Sequence, residues 1–336
     1  MPEILTVNVD YDYTPAWRKN AVHIAKIDKK WHKRSTSSKA WVLASLVHSY
    51  KKIIFTYDVK LVSLYYVFSF FLPYIGKKEI IFITLLVDVA QFTSLKQTGF
   101  RNIIKYWFYY FFVRIPEKIV VHTIEEIRLY TETFKLYPKK KFYYVPHCFA
   151  YHMPDENDFD YHPIYEGSDY IVCPGNHRDI DTFVHAIQML PDMKGIVIGS
   201  DGDRPIWDHE KIENVEFKFN IPYAEYRQFI ANAKLLVFPV TKAGPLRSLG
   251  QITVLHAVVF GVPVLSADTF HLKDYFSINE IWYYKSGNTK SLADTIKLVL
   301  TNKKLTKLKV QRAMEYYKKN LTPEKYLDNL TSVCTK

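Results

Sequence analysis

Two windows of the sequence hold residue types suited to gripping a phosphate. The first is Cys173-Pro-Gly-Asn-His-Arg-Asp179. Gly175 permits close backbone approach, and Arg178 supplies a permanent cation with a planar donor fork. The second is Ala243–Asp268, AGPLRSLGQITVLHAVVFGVPVLSAD. Gly244, Pro245 and Gly250 break the chain there, and Gln251–Phe260 has the apolar spacing of a helix. The first N–H groups of such a helix lack partners and its dipole favours negative charge. Arg247, Ser248 and Thr253 bring further donors to the same turn. An ordinary loop–helix–strand unit of an α/β domain would carry the same pattern, so the chemistry depends on what positions these residues.

Strands and helices alternate along the whole chain. In the first half, strands are predicted at Ile4–Val9, Lys52–Tyr57, Glu79–Thr84, Lys118–His122 and Phe142–Val145. Helices are predicted at Ser37–Ser49, Lys60–Leu72, Gly99–Val113 and Ile124–Leu136. In the second half, strands are predicted at Tyr170–Cys173, Gly195–Gly199, Val215–Phe219, Leu235–Val240, Val262–Ser266 and Ile281–Tyr284. The helices between them are Asp179–Met189, Tyr223–Ala231 and Gln251–Phe260. This alternation predicts parallel sheets covered on both faces, with ligands bound outside the carboxyl ends of the strands. The Gly175–Arg178 turn follows the first strand of the second half and Gly244–Gly250 the fourth, so both are expected on one crevice.

The second window resembles the sugar-nucleotide segment of GT-B glycosyltransferases, especially family 4, in the variant S-x-G-Q-x-T-x-L-E-A-x-x-x-G-x-P-V. The matching residues are Ser248, Gly250, Gln251, Thr253, Leu255, Ala257, Gly261, Pro263 and Val264. The family's usual pair of glutamates falls on Ser248 and His256, and in relatives the second contacts the nucleotide ribose. The first window is similar to the family's G-x-x-x-R-D-x-x-T-x-x-x-A stretch at Arg178, Asp179, Thr182 and Ala186, with Asp181 beside them and Gly175 one position nearer the arginine than in the pattern. The resemblance implies that Arg178 contacts the donor diphosphate. It implies donor binding by Gly175, Arg178, Gly244, Arg247, Ser248, Leu249, Gly250, Gln251, Thr253 and His256, with Asn220 and Ile221 receiving the nucleobase on backbone groups. Asp179 is as much a helix N-cap as a catalytic group.

In the first half, Val87-Asp88 lies where many relatives carry a histidine near the reacting sugar. Asp88 would take the acceptor's proton if it reaches the cleft, or it would cap a helix. Thr123 and Glu126 are similar to the serine and acid of the family's V-x-x-S-x-x-E segment, which is mainly structural in relatives. No metal site is expected: Asp10-Tyr-Asp12 and Asp201-Gly-Asp203 lack the context of a manganese motif. The resemblance instead implies metal-free catalysis, with backbone dipoles and cations stabilising the leaving diphosphate and no cofactor beyond the nucleotide sugar.

Composition bounds the rest. The chain has 336 residues, which suits two α/β domains, and a net charge of +11. No zinc-finger, homeodomain or RNA-recognition spacing accompanies the lysine runs, so nucleic acid is not an expected partner. Cys148, Cys173 and Cys334 form no CxxC pair, and the N-terminus is not a secretory signal, so a reducing, cytoplasmic setting is expected. The apolar stretches Leu61–Ile75 and Ile103–Val113 fall short of the ~20 residues that span a bilayer. With Lys60, Lys77, Lys78, Arg101, Lys105 and Arg114 beside them, they either cover the sheet or dip into an anionic membrane, on the inner face of the cell membrane.

The expected fold is α/β of GT-B architecture, two Rossmann-like domains with parallel sheets facing a cleft. Residues 1–150 would form the acceptor domain, 151–168 a linker, 169–322 the nucleotide-sugar domain and 323–336 a tail helix crossing back to the first domain. The expected function is transfer of a sugar from a nucleotide sugar to a glycan, lipid-linked or otherwise membrane-held acceptor, with retention of configuration. The alternative is a GT-B-like binding or scaffold protein with impaired catalysis, motivated by His256 and Val87.

Overall fold

The structure, a computed structural model, describes residues 4–7, 21–46, 49–56, 79–83, 103, 106–107, 110, 113–114, 116–135, 142–148, 169–205, 212–241 and 250–335. The chain divides into two compact units, Met1–Pro146 with Pro323–Lys336, and His147–Thr322.

Among the described residues, the first unit holds a sheet of β1 (Ile4–Val7), β2 (Ala21–His23), β3 (Lys52–Thr56), β4 (Glu79–Ile83), β5 (Lys118–Val121) and β6 (Phe142–Tyr144). They pair in parallel in the order β2-β1-β3-β4-β5-β6. The central strands read as near-continuous apolar runs, as a sheet buried on both faces requires, and Ile53, Ile54, Phe55 and Ile81 are wholly buried. The Ile124–Phe134 helix covers it with Leu129, Tyr130 and Phe134. A capping box starts that helix: Thr123 caps the Glu126 N–H and the Glu126 carboxylate returns to the Thr123 N–H. The Pro323–Thr335 helix packs on this unit through Tyr326, Leu327, Leu330 and Val333. Its last carbonyls are met by lysines at the strand starts: Lys118 Nζ donates to the Val333 carbonyl at 2.9 Å and Lys52 Nζ to that of Cys334. Glu79 pairs with both, 2.8 Å from Lys52.

The second unit holds β7 (Tyr170–Pro174), β8 (Lys194–Gly199), β9 (Val215–Phe219), β10 (Leu235–Phe238), β11 (Val264–Ala267) and β12 (Trp282–Tyr284). They too are parallel, in the order β12-β11-β10-β7-β8-β9. The chain runs outward from β7 through β8 to β9, then returns to the other side of β7 as β10. The topological switch point therefore lies between β7 and β10, where such sheets bind ligands. The Gln251–Val259 helix packs against the Tyr223–Ala231 and Lys303–Asn320 helices, and Ile180–Gln188 against Thr289–Thr301.

Several elements differ from the sequence reading. β10 stops at Phe238 and β11 starts at Val264, because Pro239 and Pro263 bring no N–H to a ladder. β2 carries too little pattern in three residues to be read. The Thr289–Thr301 and Lys303–Asn320 helices were hidden, the second by its lysines. It buries Thr306, Val310, Ala313 and Tyr317 on one face and sends the basic residues outward. Of the predicted Gly99–Val113 helix, residues 103, 106, 107 and 110 are described and helical. The predicted Lys60–Leu72 helix and the 151–168 linker lie outside the described residues.

Candidate functional site

The end of β7 opens into a tight turn. Gly175 has φ +98°, His177 has φ 57°, and the Gly175 N–H donates to the Ile198 carbonyl at 2.8 Å. Asp203, beyond β8, holds the turn from the side, accepting the His177 N–H at 2.8 Å and both the N–H and hydroxyl of Ser200. The half-buried Arg178 side chain folds back over the turn. Its Nε donates to the Pro174 carbonyl at 3.0 Å, Nη1 donates to that of Asn176 at 2.8 Å, and its Cζ sits 4.4 Å from the Phe238 ring centre at the end of β10. Burial pulls the guanidinium pKa below its usual value, but an arginine keeps its charge and gains from an anionic partner.

Nη2 is the remaining arm, and among the described residues it has no hydrogen-bond partner. It points between two glycines. A Cβ at position 175 would lie 2.6 Å from it and one at position 250 would lie 2.7 Å away. Gly250 has φ +75° and a Cβ there would also strike the Phe238 ring, so no other residue fits. Gly250 opens the Gln251–Val259 helix without a side-chain cap, so among the described residues the first-turn N–H groups stand open to an outside acceptor. Arg178 and this helix start thus converge from the two sides of the switch point.

Side chains extend the site towards β9. Thr253 Oγ1 lies 3.4 Å from a Cβ at position 175 and is 3.0 Å from the Tyr226 hydroxyl. Tyr226 stacks on Tyr223 with ring centres 6.0 Å apart and planes at 15°. The Tyr223 hydroxyl meets His256 Nε2 at 2.9 Å, and His256 Nδ1 lies 2.9 Å from the Ile252 carbonyl. Desolvation raises both tyrosine pKa values, that of Tyr223 to about 12, so both rings carry their protons at neutral pH.

The sequence-predicted residues fall into three groups. Gly175, Arg178, Gly250 and Thr253 come together in the cradle. Gln251 and His256 are buried within the fold: Gln251 Nε2 donates to the His271 carbonyl at 3.1 Å, and both ring nitrogens of His256 are engaged by protein groups. Asn220, with φ 53°, and Ile221 follow β9, and the Asn220 amide is tied to Asp201. Gly244, Arg247, Ser248, Leu249 and Asp88 lie outside the described residues. Asp179 is a helix N-cap, its carboxylate taking the Thr182 N–H at 3.2 Å and hydroxyl at 2.7 Å. Phe238, Tyr223, Tyr226 and Asp203 were missed. The two tyrosines, three apart at a helix start after a strand, were the available signal. Among the described residues, no three His, Cys, Asp or Glu side chains are grouped as metal ligands would be, and no helix is long and apolar enough to cross a membrane.

The whole chain is similar to several solved structures. HepE of Anabaena, solved with UDP and glucose, aligns with TM-score 0.67 and 11% identity, both chains covered in full. Sucrose-phosphate synthase of Thermosynechococcus elongatus aligns with TM-score 0.66 and 13% identity over 96% of this chain and 81% of that one. A glycosyltransferase of Rickettsia africae ESF-5 gives TM-score 0.63 and 10% identity over 98% and 97%. At such identities the likeness establishes the fold, which is GT-B. No curated protein sequence matches the chain. The family model for glycosyl transferases group 1 matches residues 155–334, more than half of the chain and the whole stretch from β7 to Gly250 and beyond. The two cradle loops therefore sit inside the family's own segment, and the chain belongs to the group 1 glycosyltransferases.

Proposed function

We propose that this glycosyltransferase takes its sugar from a nucleoside diphosphate sugar held by the second unit. The observation that carries the reading is Arg178 Nη2, aimed between Gly175 and Gly250 beside an uncapped helix start. A diphosphate there meets a fixed cation and backbone donors at once. The same groups act on the reaction. As the bond to the sugar breaks, negative charge grows on the departing diphosphate, and donors already in place stabilise it without reorganising. That supports a reaction that runs without a metal ion. Family resemblance supports retention of configuration, with a glycan, lipid-linked or membrane-held acceptor, and work at the cytoplasmic face of a membrane. HepE was solved with UDP and with UDP-glucose, which makes UDP the first nucleotide to try.

The test is calorimetric titration with UDP, ADP and GDP, with and without Mg²⁺, followed by an assay of nucleoside diphosphate release from the matching sugars. Binding without metal and turnover with an acceptor are expected. Binding without any turnover would favour the impaired-catalysis reading, and absence of binding to all three would overturn the donor site.

A further inference from the structure

The hydrogen bonds of His256 determine its tautomer. Nδ1 lies 2.9 Å from the Ile252 carbonyl, which can only accept, so Nδ1 carries the ring proton. Nε2 is then a lone pair, and the Tyr223 hydroxyl 2.9 Å away donates to it. The imidazole is 1% exposed and Tyr223 is 40% exposed. With its proton committed to His256, the Tyr223 oxygen can offer any further group only an acceptor.

That acceptor belongs to the side chains beside the cradle. A Cβ at position 175 would lie 2.6 Å from Arg178 Nη2 and 3.4 Å from Thr253 Oγ1, Thr253 Oγ1 is 3.0 Å from the Tyr226 hydroxyl, and the Tyr226 ring stacks on that of Tyr223. In a nucleotide the ribose is the group joined to the diphosphate, so side chains flanking the diphosphate cradle are those a ribose meets. Ribose hydroxyls are donors in search of acceptors. A carboxylate would supply one directly, and here a buried imidazole supplies one through a tyrosine.

We infer that the Tyr223 hydroxyl, oriented by His256, accepts a hydrogen bond from a ribose hydroxyl of the nucleotide donor. His256 is a positioning residue that does not touch the ligand. The inference rests on the donor site proposed above.

The experiment measures affinity for UDP, ADP and GDP, each beside its 2′-deoxy and 3′-deoxy forms, in four proteins: wild type, Tyr223→Phe, His256→Ala and the double variant. A neutral hydrogen bond corresponds to about three- to tenfold in affinity, so the wild type should prefer a ribonucleotide over one deoxy form by about that factor. Tyr223→Phe should erase the preference and leave affinity for that deoxy form unchanged. His256→Ala should erase it as well, with no further loss when added to Tyr223→Phe. A merely structural histidine would lower affinity for both sugars alike. Retention of the preference in Tyr223→Phe would overturn the inference alone. So would its loss in His256→Ala but not in Tyr223→Phe, which would return the ribose contact to the histidine. A wild type that binds none of the diphosphates would overturn the donor site and this inference with it.

Discussion

At the scale of the residue, Arg178 is the group on which the donor site turns. Two of its three nitrogens are spent on the Pro174 and Asn176 carbonyls, which fixes the direction of the third. Charge-assisted hydrogen bonds contribute roughly 1.5–3 kcal/mol. Arg178→Ala should therefore weaken UDP binding about tenfold or more by calorimetry. Arg178→Lys should not restore it, because one ammonium cannot hold the turn and reach the ligand together. Unchanged affinity in the alanine variant would remove the residue from the site. In the first unit, His122 and Glu126 form a pair of opposite pH sensitivity. Desolvation lowers the His122 pKa to about 4 and raises that of Glu126 to about 7. A histidine with a lowered folded pKa contributes stability above its unfolded value of ~6.5, and loses it as pH falls through about 4. A carboxyl with a raised folded pKa contributes stability below its unfolded value of ~4.3, and loses it as pH rises through about 7. Glutamine can occupy the same capping position without ionising. Relative to wild type, Glu126→Gln should thus be more stable at pH 8 than at pH 5 in urea denaturation. An equal offset at both pH values would show that Glu126 does not titrate in this range.

Elements explain where the donors stand and why some of them were legible. The clasp on the Pro323–Thr335 helix is built from the first residues of three neighbouring strands, Lys52, Glu79 and Lys118, whose register brings Lys52 opposite Glu79. A helix C-terminus attracts cations, and both lysines donate to its last carbonyls. Burial pushes the Glu79 carboxyl up, but hydrogen bonds from Lys118 and Lys52 outweigh it and hold the pKa below its ordinary value. Glu79→Gln would leave two cations side by side. The cost should fall between the limits for exposed and buried pairs, roughly 1–3 kcal/mol. Urea denaturation should show it, and limited proteolysis should cut earlier within Pro323–Thr335; an unchanged midpoint and cleavage pattern would mean the clasp carries no stability. The clasp itself was not readable, since its partners are backbone carbonyls hundreds of positions away in sequence. The cradle was more legible. Gly175, Arg178, Gly250 and Thr253 announce themselves because glycine and arginine at strand ends have few structural reasons to be there. Tyr223, Tyr226 and Phe238 stayed hidden because aromatic residues at helical or strand spacing read as core. His256 was visible as a departure from its family, but its engagement with Tyr223 is a tertiary fact. Among elements, strands buried on both faces were plain from their apolar runs, whereas the Lys303–Asn320 helix was masked by charge on its outer face.

At the scale of the molecule, charge and exposed aromatics bear on where the enzyme works. The chain carries +11 at pH 7, and the described part of the first unit exposes Lys26, Lys29, Lys30 and Lys33. Its exposed apolar side chains include Ile27, Trp41, Ile103 and Trp107, Trp41 at 57%. Single exposed hydrophobes are ordinary on soluble proteins. The membrane proposal would use these tryptophans and isoleucines beside the lysine run, the rings at headgroup depth and the lysines reaching the phosphates. Each basic residue near such a surface contributes about 1 kcal/mol, so attachment of this kind would need the exposed lysines and the apolar side chains together. The protein should sediment with phosphatidylserine-containing vesicles at low salt. It should be released near 1 M salt, where the Debye length shrinks to about 3 Å. Trp41→Ala should weaken attachment at every salt concentration at which the wild type still sediments, because it removes apolar contact that screening does not touch. Replacing Lys29, Lys30 and Lys33 with glutamine should weaken it at low salt only. Failure of the wild type to sediment with anionic vesicles at low salt would end the membrane proposal. Equal sedimentation with neutral vesicles would assign the attachment to the aromatics and remove the lysines from it.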